Sequence, residues 1–299
     1  MKQAVIAPVY DLDLSSRLSH LYLILSWLCK KDPQYKSYWN NIKRKHLDAY
    51  IILDNGANEQ QLSNNLELIT LANDINVDEI VAPDVYHDYL GTQEKTKGFL
   101  NEYYDKYIKN RFNIMAVVQG KTKENFIDCF NSFINDDRIN IIGIGYKNLK
   151  LPFEDDMLLL STEDWFNLGI TNIQQLKDNL STETYFYTLS RIFFLKKIIK
   201  VIELPKNKKI HLLGLWNPKE IHLYQQVFSN EELDKIRGCD SASPCQAAQS
   251  KILFNEEYGV KNKPQVLLKF EERLSTEERN LAEKNIEIMK KWIEDVRSR

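Results

Sequence analysis

Short apolar runs rich in β-branched residues recur along the chain, each broken by a polar residue, a proline or a glycine. Ala4-Val5-Ile6-Ala7 stops at Pro8, Tyr50-Ile51-Ile52-Leu53 at Asp54-Asn55-Gly56, and Glu79-Ile80-Val81-Ala82 at Pro83-Asp84. Ile114-Met115-Ala116-Val117-Val118 stops at Gln119-Gly120, and Ile139-Asn140-Ile141-Ile142 runs into Gly143-Ile144-Gly145. Ile210-His211-Leu212-Leu213 stops at Gly214, and Lys235-Ile236-Arg237-Gly238-Cys239 at Asp240. Continuous apolar runs of this length predict strands covered on both faces, as in a parallel sheet.

Helical periodicity fills the intervals. Leu62, Leu66, Ile69 and Ala72 share one face of the stretch from Gln60 to Asp74, and Glu124–Phe133 and Pro218–Phe228 read similarly. Tyr185–Ile202 predicts a long, strongly apolar helix, and Ser275-Thr276-Glu277-Glu278 a capping box that opens a terminal helix reaching Val296. Strand and helix alternate about seven times. This predicts an α/β fold, a (β/α)8 TIM-like barrel, with a doubly wound sheet as the second architecture. The eighth strand has no clear run of its own and is placed near Val266-Leu267-Leu268. Leu151–Thr184, with Glu154-Asp155-Asp156, reads as an insertion or helical excursion. No Pro/Gly/Ser-rich linker divides the chain, so a single domain is expected over 1–299, with the barrel over about 1–270 and a C-terminal helix at 275–297.

Composition narrows the function classes. The 299 residues can bury a large core, and no stretch of eighteen uncharged apolar residues occurs, so no membrane partner is expected. Asp11 and Asp13 come too early for a secretory signal. Cys29, Cys129, Cys239 and Cys245 are scattered without a C-x-x-C, which encodes neither a disulfide framework nor a four-cysteine zinc knuckle; a cytoplasmic location is expected. With 40 Lys+Arg against 42 Asp+Glu the whole is near neutral, yet charge is uneven. The stretch 30–46 carries Lys43, Arg44 and Lys45 among its six basic residues, and 191–209 carries Lys196, Lys197 and Lys200 among its seven. Each run alone reads most simply as a solvated helix face. Two of them, with aromatics nearby, make phosphate-backbone contact a candidate role.

In a barrel the strand C-termini form the active face, which would gather Asp54, Asp84, Gln119, Gly145, Gly214 and Asp240. Singly, each has a plainer reading: Asp54-Asn55-Gly56 as a hairpin turn, Asp84 as a turn start, and Asp240 or Ser241 as a cap for the helix at Ser243-Pro244. Their shared position at strand ends favours a site.

These residues resemble a family. Leu53-Asp54-Asn55-Gly56, Val118-Gln119-Gly120, Gly143-Ile144-Gly145, Leu212-Leu213-Gly214 and Asp240-Ser241-Ala242-Ser243-Pro244 follow the order and approximate spacing of motifs in tRNA-guanine transglycosylases, over roughly Asp54–Gln246. Those enzymes are (β/α)8 barrels that exchange guanine in a polynucleotide for a 7-deazaguanine base. The resemblance implies double displacement at the anomeric carbon, with Asp240 as nucleophile and Asp54 as the carboxylate handling protons on the two bases. It implies that Asp84 accepts from the amide and amino edge of the purine and that Gln119 holds the six-position carbonyl. Leu213 would pack on the base, and a backbone amide at Ile141 or a neighbour would meet the same carbonyl, with Gly120, Gly143, Gly145 and Gly214 leaving room for backbone approach.

Several positions depart from the family pattern. Asn140-Ile141 stands where the family has paired glycines, Asn58 where an aromatic stacks on the base, and Gln246 where an arginine contacts tRNA. No cysteine follows Cys245, so the family's zinc module has no counterpart; neither zinc nor another cofactor is expected. In these respects the chain is more similar to the phage DNA 7-deazaguanine transglycosylases. The leading expectation is therefore base exchange on DNA, with a flipped-out guanine and the two basic runs on the flanking phosphates. The same exchange on tRNA, a catalytically silent partner subunit and an unrelated barrel glycosidase stand as alternatives. Oligomeric state is left open.

Overall fold

All seven apolar runs become strands in the computed structural model, which describes residues 2–57, 61, 64–145, 163, 183–200, 202–215, 217, 219–255, 259–260 and 267–294. They are β1 (Lys2–Val5), β3 (Tyr50–Asp54), β4 (Glu79–Val81), β5 (Asn113–Val118), β6 (Ile141–Gly145), β7 (Lys209–Leu213) and β8 (Ile236–Ser241). The eighth is β2 (Leu21–Leu25), buried along its whole length. This corrects the placement near Val266-Leu267-Leu268: Val266 lies outside the described residues, while Leu267 and Leu268 belong to an irregular segment. The physical reason is local. Leu21-Tyr22-Leu23-Ile24-Leu25 passes straight into a helix at Ser26 with no glycine, proline or charged residue between, and Trp27-Leu28-Cys29 carries the apolar run into the next element.

The strands form one parallel sheet in the order β1-β8-β7-β6-β5-β4-β3-β2. Leu25 stands opposite Asp54 and Val5 opposite Ser241, which brings successive C-termini to one end. The end strands β1 and β2 lie side by side, and Ser19 Oγ donates to the Gln3 carbonyl at 2.6 Å. The result is a nearly closed (β/α)8 barrel. Between β7 and β8 the register slips: Ile210 faces Ile236 but His211 faces Gly238, leaving Arg237 as the extra residue of a bulge.

Described helices are α1 (Ser26–Lys31), α2 (Pro33–Lys45), α3 (Asn65–Ile75), α4 (Tyr89–Tyr103), α5 (Lys123–Ile134), α6 (Glu183–Lys200), α7 (Lys219–Val227), α8 (Asn230–Leu233), α9 (Ser243–Gln249) and α10 (Thr276–Glu294). Their starts are chemically marked. Asp32 accepts from Gln34 and Tyr35 amides ahead of α2, and Asn64 from Leu66 and Glu67 ahead of α3. The capping box at Ser275 forms as expected, with Glu278 N–H donating to Ser275 Oγ at 3.2 Å and Ser275 N–H to Glu278 at 2.7 Å. Of the stretch 151–184 expected as an insertion, Glu183 and Thr184 open α6, and the rest apart from residue 163 lies outside the described residues. No helix among those described is long and apolar enough to cross a membrane.

Beyond the main core, α9 and α10 pack together in two smaller clusters, one around Cys245, Ala248 and Ile286, the other around Ala247, Met289 and Trp292. Buried Asn285 on α10 ties this layer: its side chain accepts from Phe254 N–H and donates to the carbonyls of Pro244 and Ile252. Arg279 reaches back to Asp11 and Asp13, fastening α10 to the segment after β1.

Candidate active site

At the C-terminal end of the barrel a cavity of about 480 Å³ opens. Asp54, Asp84, Gln119, Gly145, Leu213, Gly214 and Asp240 all line it, so seven residues from six strand ends meet in one place. Leu23, Leu25, Val81 and Val117 supply apolar wall, and Leu267, Leu268 and Phe270 close one side. A mostly apolar concavity with a few convergent polar groups is the usual form of a small-molecule site.

Asp84 is the centre of one polar group. Asn55 Nδ2 donates to its Oδ1 at 2.7 Å and Gln119 Nε2 to its Oδ2 at 2.6 Å. Burial pushes the Asp84 carboxyl above the ordinary carboxylate range, and these two hydrogen bonds pull the other way. Gln119 is oriented from its other end, where Oε1 accepts from the His87 amide at 3.1 Å. His87 holds a positive φ of 60° to make that contact, and its ring packs 3.9 Å from that of Tyr86 on the rim. Asp54-Asn55-Gly56 is a tight turn and not a hairpin, since β3 pairs only with parallel neighbours. Gly56, at φ 82°, aims its N–H at Asp54 Oδ2, 2.9 Å away.

Asp240 sits across the sheet order on β8. Gly214 N–H donates to its Oδ2 at 3.1 Å, and His211 Nε2 lies 3.2 Å from its Oδ1. Arg191 of α6, buried and paired with Glu220, donates to the Leu213 carbonyl at 3.3 Å and so braces the end of β7 beside Gly214. From the sequence His87 reads most simply as a surface-loop histidine near the pocket, able to orient a carboxylate, and His211 is not marked as a site residue. One acts through its backbone and the other lies inside a strand run, with no metal-like spacing to mark it.

Other expectations need correcting. Ile141 opens β6 at its N-terminal end, opposite Met115, so its amide is several residues from the cavity and belongs to the ladder; Gly145 is the β6 residue that reaches the site. Gly143 lies within the barrel, where an added Cβ would stand 2.9 Å from Met115 Sδ, and Gly120 makes room for the start of α5, 2.7 Å from Phe126 N. Both serve packing. Asn58 lies outside the described residues.

Both basic clusters also land elsewhere. Lys43, Arg44 and Lys45 end α2, just before β3 begins, and Lys43 pairs with Asp78 ahead of β4 at 2.7 Å. Lys196, Lys197 and Lys200 end α6 ahead of β7; Lys196 is buried over the Phe228 ring and pairs with Glu232, which Lys200 also reaches. Helices return from strand ends to strand starts, so these two clusters lie at the barrel end opposite the cavity, whereas Lys30 and Lys31, which open the first run, sit on α1 just after the C-terminal end of β2. This corrects the expected role of the two clusters on phosphates flanking a base held there.

Neither a family model nor a curated protein matches this chain. Among the described residues, no group of three or more His, Cys, Asp or Glu side chains is placed to hold a metal ion.

Proposed function

We propose that the chain is a guanine transglycosylase, exchanging a guanine in a polynucleotide for a 7-deazaguanine base. The observation that carries this reading is the joining of Asp240 and Asp54 in one cavity with the Asp84–Gln119–Asn55 group. A carboxylate beside a carboxamide presents acceptors and a donor together. That pattern complements the N1–H, amino and carbonyl edge of guanine.

The reaction then runs in two displacements. An Asp240 oxygen forms a bond to C1′ of the flipped-out nucleotide, the C1′–N9 electron pair leaves with guanine, and Asp54 delivers a proton to the departing base. The incoming base gives a proton to Asp54, its nitrogen bonds to C1′, and the Asp240–C1′ bond breaks with its electrons returning to the carboxylate. Configuration is retained and the backbone is never cut.

DNA is the polymer we favour, on the similarity to the phage enzymes, on Gln246 in place of an arginine and on the lack of cysteines after Cys245. A strand lying over the mouth would meet Lys30 and Lys31 of α1, which pair with Glu67 and Glu271, and exposed Lys121 after β5.

Release of labelled guanine from a DNA duplex and from a tRNA, with and without 7-cyano-7-deazaguanine, tests the proposal. Release from DNA by the native chain and none by Asp240→Asn is the expected result. Release from tRNA alone would keep the chemistry and replace the polymer. No release from either would sink the transglycosylase reading for the isolated chain.

A further inference from the structure

The carboxylate at position 240 is gripped by a polar chain that crosses the barrel interior. His211 on β7 is fully buried, with Nε2 3.2 Å from Asp240 Oδ1 and Nδ1 2.9 Å from Arg237 Nη2. A guanidinium carries donors only. Nδ1 must therefore accept, which leaves the ring proton on Nε2, directed at Asp240. Arg237 is itself anchored by fully buried Glu79 of β4, through Nη1 and through Nη2 at 3.1 Å. Glu79 accepts from the Tyr50 hydroxyl of β3 at 2.8 Å, and that hydroxyl accepts from Asn113 Nδ2 of β5 at 2.9 Å.

The bulge in β8 supplies this geometry. Arg237 is the extra residue, released from the strand alternation that binds its neighbours. Charged groups face the imidazole from two elements: Asp240 and Arg237 from β8, and Glu79 from β4. Burial disfavours the imidazolium most, the hydrogen bond to Asp240 opposes that, and the Arg237 charge adds to it; the net direction is downward from the usual histidine value. A ring so placed is a fixed donor and not a proton carrier.

We propose that His211 is a positioning residue for Asp240: Arg237 locks its ring as the Nε2–H tautomer, and that proton together with the Gly214 amide holds the carboxylate in one orientation at the cavity. The role of Asp240 as nucleophile rests on the transglycosylase reading; the locked tautomer does not.

Two measurements on the full chain separate them. Long-range ¹H–¹⁵N NMR of ring-labelled histidine reads the tautomer, with His211 assigned from the spectrum of His211→Gln. The expected signal is an Nε2–H ring at neutral pH whose titration lies below that of an ordinary histidine and moves upward in Arg237→Met. An Nδ1–H ring, or one that titrates as an ordinary histidine in the native chain, would overturn the lock. Kinetics of base exchange read the consequence. His211→Phe should lower kcat by about 100-fold with KM within about twofold, the scale of a misaligned reacting group, and His211→Gln should recover much of it by restoring a donor. Equal kcat in His211→Phe and the native chain would overturn the positioning role. Should His211→Phe fail to fold, His211→Asn, whose shorter amide cannot reach Asp240, takes its place with the same expected loss. No exchange by any variant, native chain included, with an Nε2–H ring throughout, would overturn the transglycosylase reading and leave the lock standing.

Discussion

Gln119 Nε2 lies 2.6 Å from Asp84 Oδ2, so two side chains from the ends of neighbouring strands form one hydrogen-bonded unit in the cavity wall. Replacing the carboxamide by a carboxylate would set two acids against each other in a buried place. Gln119→Glu is predicted to cut base release by at least about 100-fold, because a site left with unpaired polar groups rejects its ligand strongly. Comparison of guanine release by the two proteins, beside matched circular dichroism spectra, checks it. Release within a few-fold of the native rate would remove Gln119 from the proposed recognition group.

Gly56 couples backbone shape to chemistry. A Cβ there would stand 2.5 Å from the Gln61 carbonyl oxygen at a φ of 82°. Gly56→Ala is predicted to cost about 1–3 kcal/mol of stability and to loosen Asp54, whose Oδ2 would lose the amide it accepts from. Urea unfolding measures the first effect and base release the second; a variant as stable and as active as the native chain would contradict both.

Inside the barrel, Glu79 and Arg237 form a pair with Glu79 wholly excluded from water. Removing one partner strands the other charge. Glu79→Ala should destabilise the fold by about 3–5 kcal/mol, and Glu79→Met,Arg237→Met together by much less than the sum. A double-mutant cycle in urea decides the matter, and additive losses would mean that the pair is not coupled.

His211 makes stability depend on pH in a defined direction. Its folded value lies below that of an ordinary histidine, about 6.5, so the unfolded chain takes up a proton that the folded chain refuses. That contribution is complete above about pH 6.5 and is lost as pH falls from there toward the folded value. Unfolding free energy measured at pH 7.5 and 5.5 should drop less in His211→Gln than in the native chain. An equal drop would show that the ring is protonated as readily folded as unfolded.

Asn285 offers a test remote from the cavity. Its amide satisfies three backbone groups, those of Phe254, Pro244 and Ile252. Asn285→Leu should cost about 3 kcal/mol, near the lower bound for leaving three such groups unmet. Thermal unfolding reads the loss, and an unchanged midpoint would show that the layer closes without this link.

Seven strands and the rim residues were legible because a doubly covered strand must be apolar throughout and must stop where it meets solvent or a site. The stops at Asp54, Asp84, Gln119, Gly214 and Asp240 therefore both end the apolar runs and line the cavity. Strand β2 was not legible, for its apolar residues continue into α1 with no glycine, proline or charged stop. Ile141 illustrates a second limit: the apolar run shows that a strand exists, while the barrel end each residue reaches depends on where the ladder starts. Charge runs gave least. A cluster such as Lys43-Arg44-Lys45 marks a helix end, and only the fold decides which end of the barrel that is. Both hydrogen-bond partners of His211 come from β8, with Glu79 of β4 standing behind Arg237, and nothing in its neighbours along the chain announces them.

The pairing of the first strand with the last has a consequence for how the protein comes into being. Ala4 aligns with Asp240, so the strand carrying that carboxylate has its place completed by residues made more than two hundred positions earlier. On a ribosome, β1 must wait unpaired with β8 while more than two hundred residues emerge, and the cavity gains its last wall only then. Contacts of such long sequence separation are slow to form. The cavity is thus a property of the finished circle, and a nascent chain halted anywhere before β8 holds the Asp84–Gln119 pair with no Asp240 yet across from it.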